Sequence, residues 1–471
     1  MSRPNRLQSL VELMEELNSG RMTSIEATQS RLEATRNWQP KINAFISFDE
    51  EEAGQAAIKS DLARKRGETG LLLGAPLAHK DMFLRNGGRS SGGSAILAEI
   101  QGNDDATVID RLNKAGAIEI GRLNMSEFAA GPTGHNAHYG HARNPWNPDH
   151  ITGGSSSGSG AAVASGCTYA ALGSDTGGSI RLPAIMCGLY GLKPTYGRVS
   201  RYGAMPRAWS LDCVGPLARS AADAALILTV IAGHDPKDPT TSRRSVPTWQ
   251  QLINKPVKGM TIAKARGTPF GPIEKETAEA HESALNAFAS MGAEIVEVDM
   301  PNFDDLYAAA DAISKTEAAA LHGKWMRERP DDFSVHVYSR TEAGFVVPAH
   351  VYLASQAARA NVLRDFCIRA FSDADALLIP SITTPVPTIA ETDEGEPGAI
   401  QSMVAGITKA TRPFNYLGLP GLALPLGLSS KGLPLSCQLI ARPFSERTLL
   451  SLGHAFGEMR GEDGMAPTLP K

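Results

Sequence analysis

Apolar residues recur at helical spacing near the start of the chain and predict two amphipathic helices within residues 5–37. An Asn-Ser-Gly sequence at residues 18–20, typical of a turn, separates the two segments. Thr23 and Glu26 have the spacing of a capping box, which predicts where the second helix begins. We expect this helical start, about residues 1–70, to pack on the outside of the main domain or on a partner.

From residue 75 onward, segments with helical and strand-like periodicity alternate. Residues 105–114 predict a helix and residues 117–121 a strand, and the same order recurs at residues 275–291 and 294–298. This alternation predicts an α/β fold with a central mixed, mostly parallel, twisted β-sheet and helices on both of its faces. In such sheets, sites form at the loops beyond the strand ends.

A Gly/Ser-rich stretch over residues 153–194 interrupts this pattern and organises the chain around it. It contains two similar parts, GGSSSGSG at residues 153–160 and DTGGS at residues 175–179, and each precedes a segment of small apolar residues. Glycines let backbone N–H groups converge, and helix N-termini carry unpaired donors that suit an anion. Two such loops predict a site where negative charge develops during a reaction.

Other interpretations of this stretch are less favoured. A phosphate-binding P-loop needs a closing Gly-Lys-Ser/Thr, and a dinucleotide-binding loop needs a glycine where Val163 stands. Gly154, Ser156 and Gly158 match a nucleophile-elbow pattern, but a Gly/Ser-rich run matches it easily by chance. A flexible linker would have polar flanks, whereas these flanks are apolar and helix-like.

The motifs resemble those of the amidase signature family. GGSSSGSG, GSDTGGSIRLPA and GLKPT follow one another within residues 153–195, and GAPLAHKD at residues 74–81 is similar to the family's lysine motif. The segments around residues 418–421 and 432–440 are similar to its C-terminal strands. The resemblance implies a single domain over residues 1–471, with a catalytic core at about 71–220 and a helical substrate-pocket region at about 300–372.

The resemblance also implies a Ser-cisSer-Lys catalytic triad. Its nucleophile falls on Ser179, its serine on a cis peptide on Ser155, and its base on Lys80. Lysine is a base only when its pKa is lowered, and Lys80 follows an apolar stretch at residues 71–77 that predicts a buried strand end. The backbone N–H groups implied to hold the oxyanion are those of Thr176, Gly177, Gly178 and Ser179.

Each of the three triad residues also has an ordinary structural interpretation. A lysine at a strand end usually reaches solvent, and serines in glycine-rich loops usually cap helices. The family's order and context favour the catalytic interpretation for all three. Asp175 and Arg181 flank the nucleophile, and we expect them to form an ion pair that braces the turn. We predict no cofactor and no metal, although residues 134–150 contain four histidines.

Composition and charge exclude several functional classes. Of 471 residues, 42% are hydrophobic and 20% are charged, which is ordinary for a globular enzyme. The net charge of −4 without a basic run predicts no direct contact with nucleic acid. A polar start and no long apolar run predict neither secretion nor membrane insertion, and five widely spaced cysteines predict a reduced, cytoplasmic protein.

The choice of substrate rests on residue 408. The family contains amidases, carbamate-cleaving enzymes and the glutaminase subunit of tRNA amidotransferases, and a glutaminase needs an acid and an arginine for the charged ends of glutamine. The arginine falls on Arg359, but the acid falls on Thr408, which favours a small or medium, relatively apolar amide or carbamate. We expect such a small-molecule substrate and allow a homodimer, with Met125, Trp325 and Arg359 as candidate substrate contacts. The glutaminase subunit is the alternative, and an inactive scaffold is disfavoured by the intact triad.

Overall fold

Helices and strands alternate along the chain in the computed structural model, which describes residues 6–98, 100–393, 397–461 and 463–469, without the side chains of 397–399 and 401. The helices are α1 (Leu10–Ser19), α2 (Ser24–Ile42), α3 (Glu50–Lys65), α4 (Thr107–Lys114), α5 (Ser157–Ala164), α6 (Arg181–Cys187), α7 (Ala221–Ile231), α8 (Trp249–Leu252), α9 (Lys275–Ser290), α10 (Phe303–Glu328), α11 (Val335–Glu342), α12 (Ala349–Phe371), α13 (Ile389–Asp393), α14 (Pro397–Thr408), α15 (Pro413–Tyr416) and α16 (Glu446–Arg460). The strands are β1 (Phe45–Phe48), β2 (Pro76–Lys80), β3 (Ile118–Leu123), β4 (Ala170–Asp175), β5 (Tyr190–Lys193), β6 (Cys213–Ala218), β7 (Thr261–Ala265), β8 (Glu294–Val298), β9 (Ala376–Pro380), β10 (Gly421–Leu428) and β11 (Pro434–Ile440).

The helices and strands predicted from periodicity are confirmed. α1 and α2 correspond to the two predicted N-terminal helices, although α2 continues past residue 37 to Ile42 and residue 5 is outside the described residues. Thr23 and Glu26 form the capping box of α2. The predicted helix–strand pairs correspond to α4 with β3 and to α9 with β8.

The large sheet has eight strands in the order β4-β6-β5-β10-β11-β9-β7-β8. The predicted mixed sheet flanked by helices is confirmed, but the expectation that it is mostly parallel is wrong. Five of the seven neighbouring pairs are antiparallel, and the parallel pairs are β7 with β8 and β7 with β9. α9 crosses between β7 and β8, as parallel neighbours require, whereas β10 and β11 form a hairpin. In the large sheet, the predicted helix–strand alternation therefore describes the edge formed by β7 and β8, whereas the other predicted pair, α4 with β3, belongs to the smaller sheet.

A separate three-stranded sheet, ordered β1-β3-β2, carries the lysine motif. Every residue of β2 is buried, and Lys80 is its last residue, paired with Leu123 of the parallel strand β3. The predicted buried strand end is therefore confirmed.

Two further sequence-based expectations concern the cysteines and the helices. All five cysteines are free and four of them are buried, as expected for reduced core residues. Within the described residues, the helices are all too short or too polar to cross a membrane.

The small-residue helix α5 is buried along its whole length. A Cβ at Gly158 would lie well inside contact distance of the Ala44 carbonyl oxygen and of the backbone of Asn124. Gly158 therefore allows α5 to approach the chain that follows β3.

We predict that Gly158→Ala destabilises the protein by about 3 kcal/mol, the upper end of the usual range for overpacking, because the opposing atoms belong to the backbone. Urea unfolding would measure this change. Gly54→Ala is the matched control, since Gly54 lies in α3 with no atom within 4 Å of the added Cβ. That control should gain about 0.5–1 kcal/mol from helix propensity. Equal effects of the two substitutions would contradict close packing at Gly158.

Candidate active site

Lys80 lies between two serine hydroxyls in the interior of the protein. Its Nζ is 2.7 Å from Ser155 Oγ and 3.0 Å from Ser174 Oγ, and all three side chains are buried. Burial lowers the pKa of Lys80 to about 7, although the carboxylates of Asp212 and Asp175 act in the opposite direction. An amine with this pKa is partly neutral at physiological pH and can accept a proton. Sequence reasoning missed Ser174, which is placed by β4 immediately before Asp175.

Ser179 lies in the turn that joins β4 to α6 and lines a cavity of about 220 Å³. Its hydroxyl has no hydrogen-bond partner among the described residues, and 9% of the residue is exposed, so the hydroxyl is available to a ligand in the cavity. Its carbonyl oxygen accepts a hydrogen bond of 3.4 Å from the N–H of Ser156, which follows the cis peptide bond Gly154–Ser155. The structure thus brings the three predicted triad residues into one region.

The four backbone donors predicted for an oxyanion are not equally available. The N–H of Gly178 already donates to Asp175 Oδ1 at 2.7 Å, so its inclusion among the oxyanion donors is corrected. The N–H groups of Thr176, Gly177 and Ser179 have no acceptor in the described part of the chain, and all three residues line the cavity. They remain the predicted donors.

The predicted ion pair between Asp175 and Arg181 is present and fully buried. Arg181 Nε is 3.1 Å from Asp175 Oδ2, and the second guanidinium nitrogen is 3.1 Å from Oδ1. Burial raises the pKa of the Asp175 carboxyl, but the Arg181 charge outweighs it and holds this pKa at about 2. Asn415 donates to the same carboxylate at 2.9 Å, and Arg181 also donates to Gln438 Oε1 at 3.0 Å. The turn that carries Ser179 is therefore tied to β11.

The cavity wall opposite Ser179 is charged. α10 contributes Asp311 and Lys315, and α11 contributes Arg340. Arg207 and Arg412 complete a set of four cationic side chains and one carboxylate. No sequence motif marks these residues, because they come from separate helices and loops. Thr408, the residue at the position where a glutaminase carries its acid, also lines the cavity. Its hydroxyl lies 3.0 Å from that of Tyr307.

The three candidate substrate contacts lie elsewhere. Met125 is fully buried in the main core, and Trp325 stacks on Phe128. Arg359 donates to the carbonyl oxygens of Ser210 and Asn415, so it holds the chain behind the site. Arg359 and Arg340 both belong to the helical region, and spacing alone did not show which one faces the cavity.

Comparison with known proteins identifies the family of this chain. The sequence model of the Amidase family matches residues 25–450. The chain belongs to the Amidase family. It is 38% identical to the A subunit of glutamyl-tRNA(Gln) amidotransferase from Trichlorobacter lovleyi, over 95% of this chain and 96% of that protein. The crystal structure of the A subunit from Thermotoga maritima superimposes with a TM-score of 0.82 at 30% identity, covering 98% of both chains.

A second solved structure is similar over almost the whole chain. It is described as an inhibitor-bound, unexpected vestigial protein complex that reveals the evolutionary origins of an s-triazine catabolic enzyme. The TM-score is 0.89 at 33% identity, and the match covers 97% of this chain and 100% of that one.

These Amidase-family relatives confirm some predictions and overturn others. The predicted family is correct, and the chain is an enzyme of the class that cleaves C–N bonds. The prediction of a free-standing hydrolase for an apolar amide or carbamate is wrong, since full-length relatives are named as amidotransferase subunits. The prediction of a small-molecule amide or carbamate as the partner, with no direct contact with nucleic acid, is wrong for the same reason. The uncharged Thr408 misled the substrate argument because the cavity takes its charges from other helices.

This member of the Amidase family also contains a cluster of two histidines and an aspartate. His135, His141 and Asp393 offer ligand atoms within 4.8 Å of one another, so their spacing would admit a metal ion. However, His141 Nδ1 accepts a hydrogen bond from the Asn136 N–H, which puts the His141 proton on Nε2, 3.2 Å from Asp393. His336 Nε2 lies 2.9 Å from the same carboxylate. The geometry favours a hydrogen-bonded network, and the absence of a metal remains a prediction.

We predict that Asp175→Asn costs about 3–5 kcal/mol in unfolding free energy, because it leaves the Arg181 charge buried without its partner. Urea denaturation of the wild type and the variant would measure this loss of unfolding free energy. The control is Asp110→Asn, which removes an exposed ion pair of 2.7 Å with Lys114 and should cost about 0–1 kcal/mol. A loss of similar size in both variants would contradict a bracing role for Asp175.

Proposed function

We propose that the chain is the amide-hydrolysing subunit of an amidotransferase complex and releases ammonia from the side-chain amide of glutamine. The names of its nearly full-length relatives support this assignment, because they describe a subunit that acts with glutamyl-tRNA(Gln). The second similar structure is likewise described as a protein complex. We infer that partner subunits use the ammonia on the tRNA-bound amino acid.

The proposed chemistry begins with the neutral form of Lys80. Lys80 takes a proton through Ser155 as Ser179 Oγ attacks the carboxamide carbon, and the N–H groups of Thr176, Gly177 and Ser179 stabilise the oxyanion. The C–N bond then breaks, and Ser155 returns the proton to the departing ammonia. Water attacks the acyl-enzyme, which releases the acid and restores the Ser179 hydroxyl. The hydrogen bond of 2.7 Å between Lys80 and Ser155 supports the first transfer.

The observation that carries the substrate assignment is the pair Arg207 and Arg340. Both line the cavity with Ser179, and neither forms an ion pair with a carboxylate of the described residues. Glutamine carries a carboxylate at the end opposite its carboxamide, which suits such a pair. The cavity of about 220 Å³ is smaller than the roughly 300–1,000 Å³ of pockets for drug-sized ligands, so it suits an amino-acid-sized amide.

We expect the chain, expressed together with the partner subunits of the proposed complex, to release ammonia from glutamine and to release no amine from an anilide. Coupled detection of ammonia would follow turnover, with Ser179→Ala as the blank. That variant should lose at least about 10³-fold in kcat because the nucleophile is gone. Release from the anilide without release from glutamine would sink this proposal.

We also predict that kcat/KM rises with pH through about 7 and then stays level. The protonated form of Lys80 cannot act as a base, and burial lowers its pKa to about 7, so activity is lost as pH falls below this value. Lys80→Arg should be inactive across the whole range because the guanidinium stays protonated. A profile that is flat from pH 5 to 9 would rule out Lys80 as the titrating base.

A further inference from the structure

Two guanidinium groups in the cavity, those of Arg207 and Arg340, form no ion pair with a carboxylate of the described residues. Arg207 is 8% exposed and makes one long hydrogen bond, of 3.4 Å, to Thr341 Oγ1. Arg340 donates to the carbonyl oxygen of Ala130 at 3.0 Å. Guanidinium carries five N–H donors, so most donors of both side chains remain available to a ligand.

The cationic side chains of the cavity also repel one another. Burial lowers the pKa of Arg207 to about 10, with Asp212 opposing the shift and the charges of Arg340 and Arg412 adding to it. Burial and the Arg412 charge lower the pKa of Arg340 to about 10 as well. Like charges that are withdrawn from water favour the binding of an anion between them.

The carboxylate in the wall is already engaged. Asp311 lies 2.7 Å from Lys315 Nζ and in direct contact with a guanidinium nitrogen of Arg412. Each oxygen of the Asp311 carboxylate therefore already has a cationic partner, which weakens its attraction for an α-ammonium group. Thr408, on the same wall, is uncharged and bonded to Tyr307, so it offers an ammonium group no charge.

We propose that the acyl group accepted by Ser179 carries a carboxylate held between Arg207 and Arg340 and needs no ammonium group. The substrate class is the monoamides of dicarboxylic acids, of which glutaramate, glutamine without its α-amino group, is the simplest matched example. This inference rests on the proposed function in that Ser179 must open a primary carboxamide. It adds that the carboxylate end supplies the recognition and the amino group does not.

The test measures kcat/KM of the complex for three amides of equal chain length, namely glutamine, glutaramate and pentanamide. We expect kcat/KM for glutaramate to equal or exceed that for glutamine. We expect pentanamide, which lacks the carboxylate, to be at least roughly 10- to 100-fold poorer, as for the loss of charge-assisted hydrogen bonds. A preference of tenfold or more for glutamine over glutaramate would overturn the inference and leave the proposed function intact.

Substitutions test whether Arg207 and Arg340 cause the preference for a carboxylate. Arg207→Gln and Arg340→Gln should each lower kcat/KM for glutaramate at least tenfold more than for pentanamide. Arg364→Gln, on the exposed side of α12, is the matched control and should change neither. Asp311→Asn should leave the ratio of the kcat/KM values for glutamine and glutaramate unchanged. A selective loss of glutamine turnover in that variant would show that Asp311 binds the ammonium group and would overturn the inference.

Binding to Ser179→Ala separates this inference from the proposed function. We expect isothermal titration calorimetry to give a dissociation constant for glutaramate that is no higher than the one for glutamine. Binding of glutaramate to this variant, with no ammonia released from glutamine or glutaramate by the wild type, would overturn the proposed function and support the part of the inference that concerns carboxylate binding. Absence of both binding and turnover of glutaramate would overturn the inference.

Discussion

The buried ion pair between Asp175 and Arg181 is the constraint on which the rest of the site depends. Its two members enclose the turn that carries Ser179, and the Asp175 carboxylate also accepts backbone hydrogen bonds from Gly178 and Ile180. Arg181 extends the same network to Asn415 and to Gln438 on β11. A buried charge is costly unless it is paired and fully hydrogen-bonded, so the turn is held in the one conformation that satisfies both groups. The large sheet and the proposed nucleophile are therefore fixed to each other through electrostatics rather than through apolar packing alone.

Burial has a second and opposite role at Lys80. No carboxylate in the described part of the chain pairs directly with the Lys80 ammonium group, and the two serine hydroxyls that contact it, those of Ser155 and Ser174, carry no charge. The same loss of hydration that makes Asp175 depend on Arg181 therefore makes the amine easier to deprotonate. Lys80 comes from the three-stranded sheet and Ser174 from the large one, so the pKa of the proposed base depends on how the two sheets meet.

The parts of the site that could be predicted from sequence are those encoded over a few neighbouring residues. The turn at Asp175, the strand end at Lys80 and the capping box at Thr23 each depend on local spacing, and each has the expected structure. The strand order could not be predicted, because antiparallel pairs such as β5 with β10 join segments more than two hundred residues apart. Arg340 was missed for a similar reason: α11 has an ordinary amphipathic pattern, and only its packing against the pocket distinguishes Arg340 from Arg359.

One face of the helix α10 forms part of the cavity wall. Tyr307, Asp311, Ser314 and Lys315 of α10 line the cavity at spacings of four, seven and eight residues, which places them on a single face. None of them takes part in the hydrogen bonds that hold Ser179, Ser155 or Lys80. Substitutions on this face can therefore change the charge presented to the acyl group while the proposed machinery keeps its geometry. The uncharged Thr408 did not make the cavity apolar, because α10 and α11 supply the wall with charges of their own.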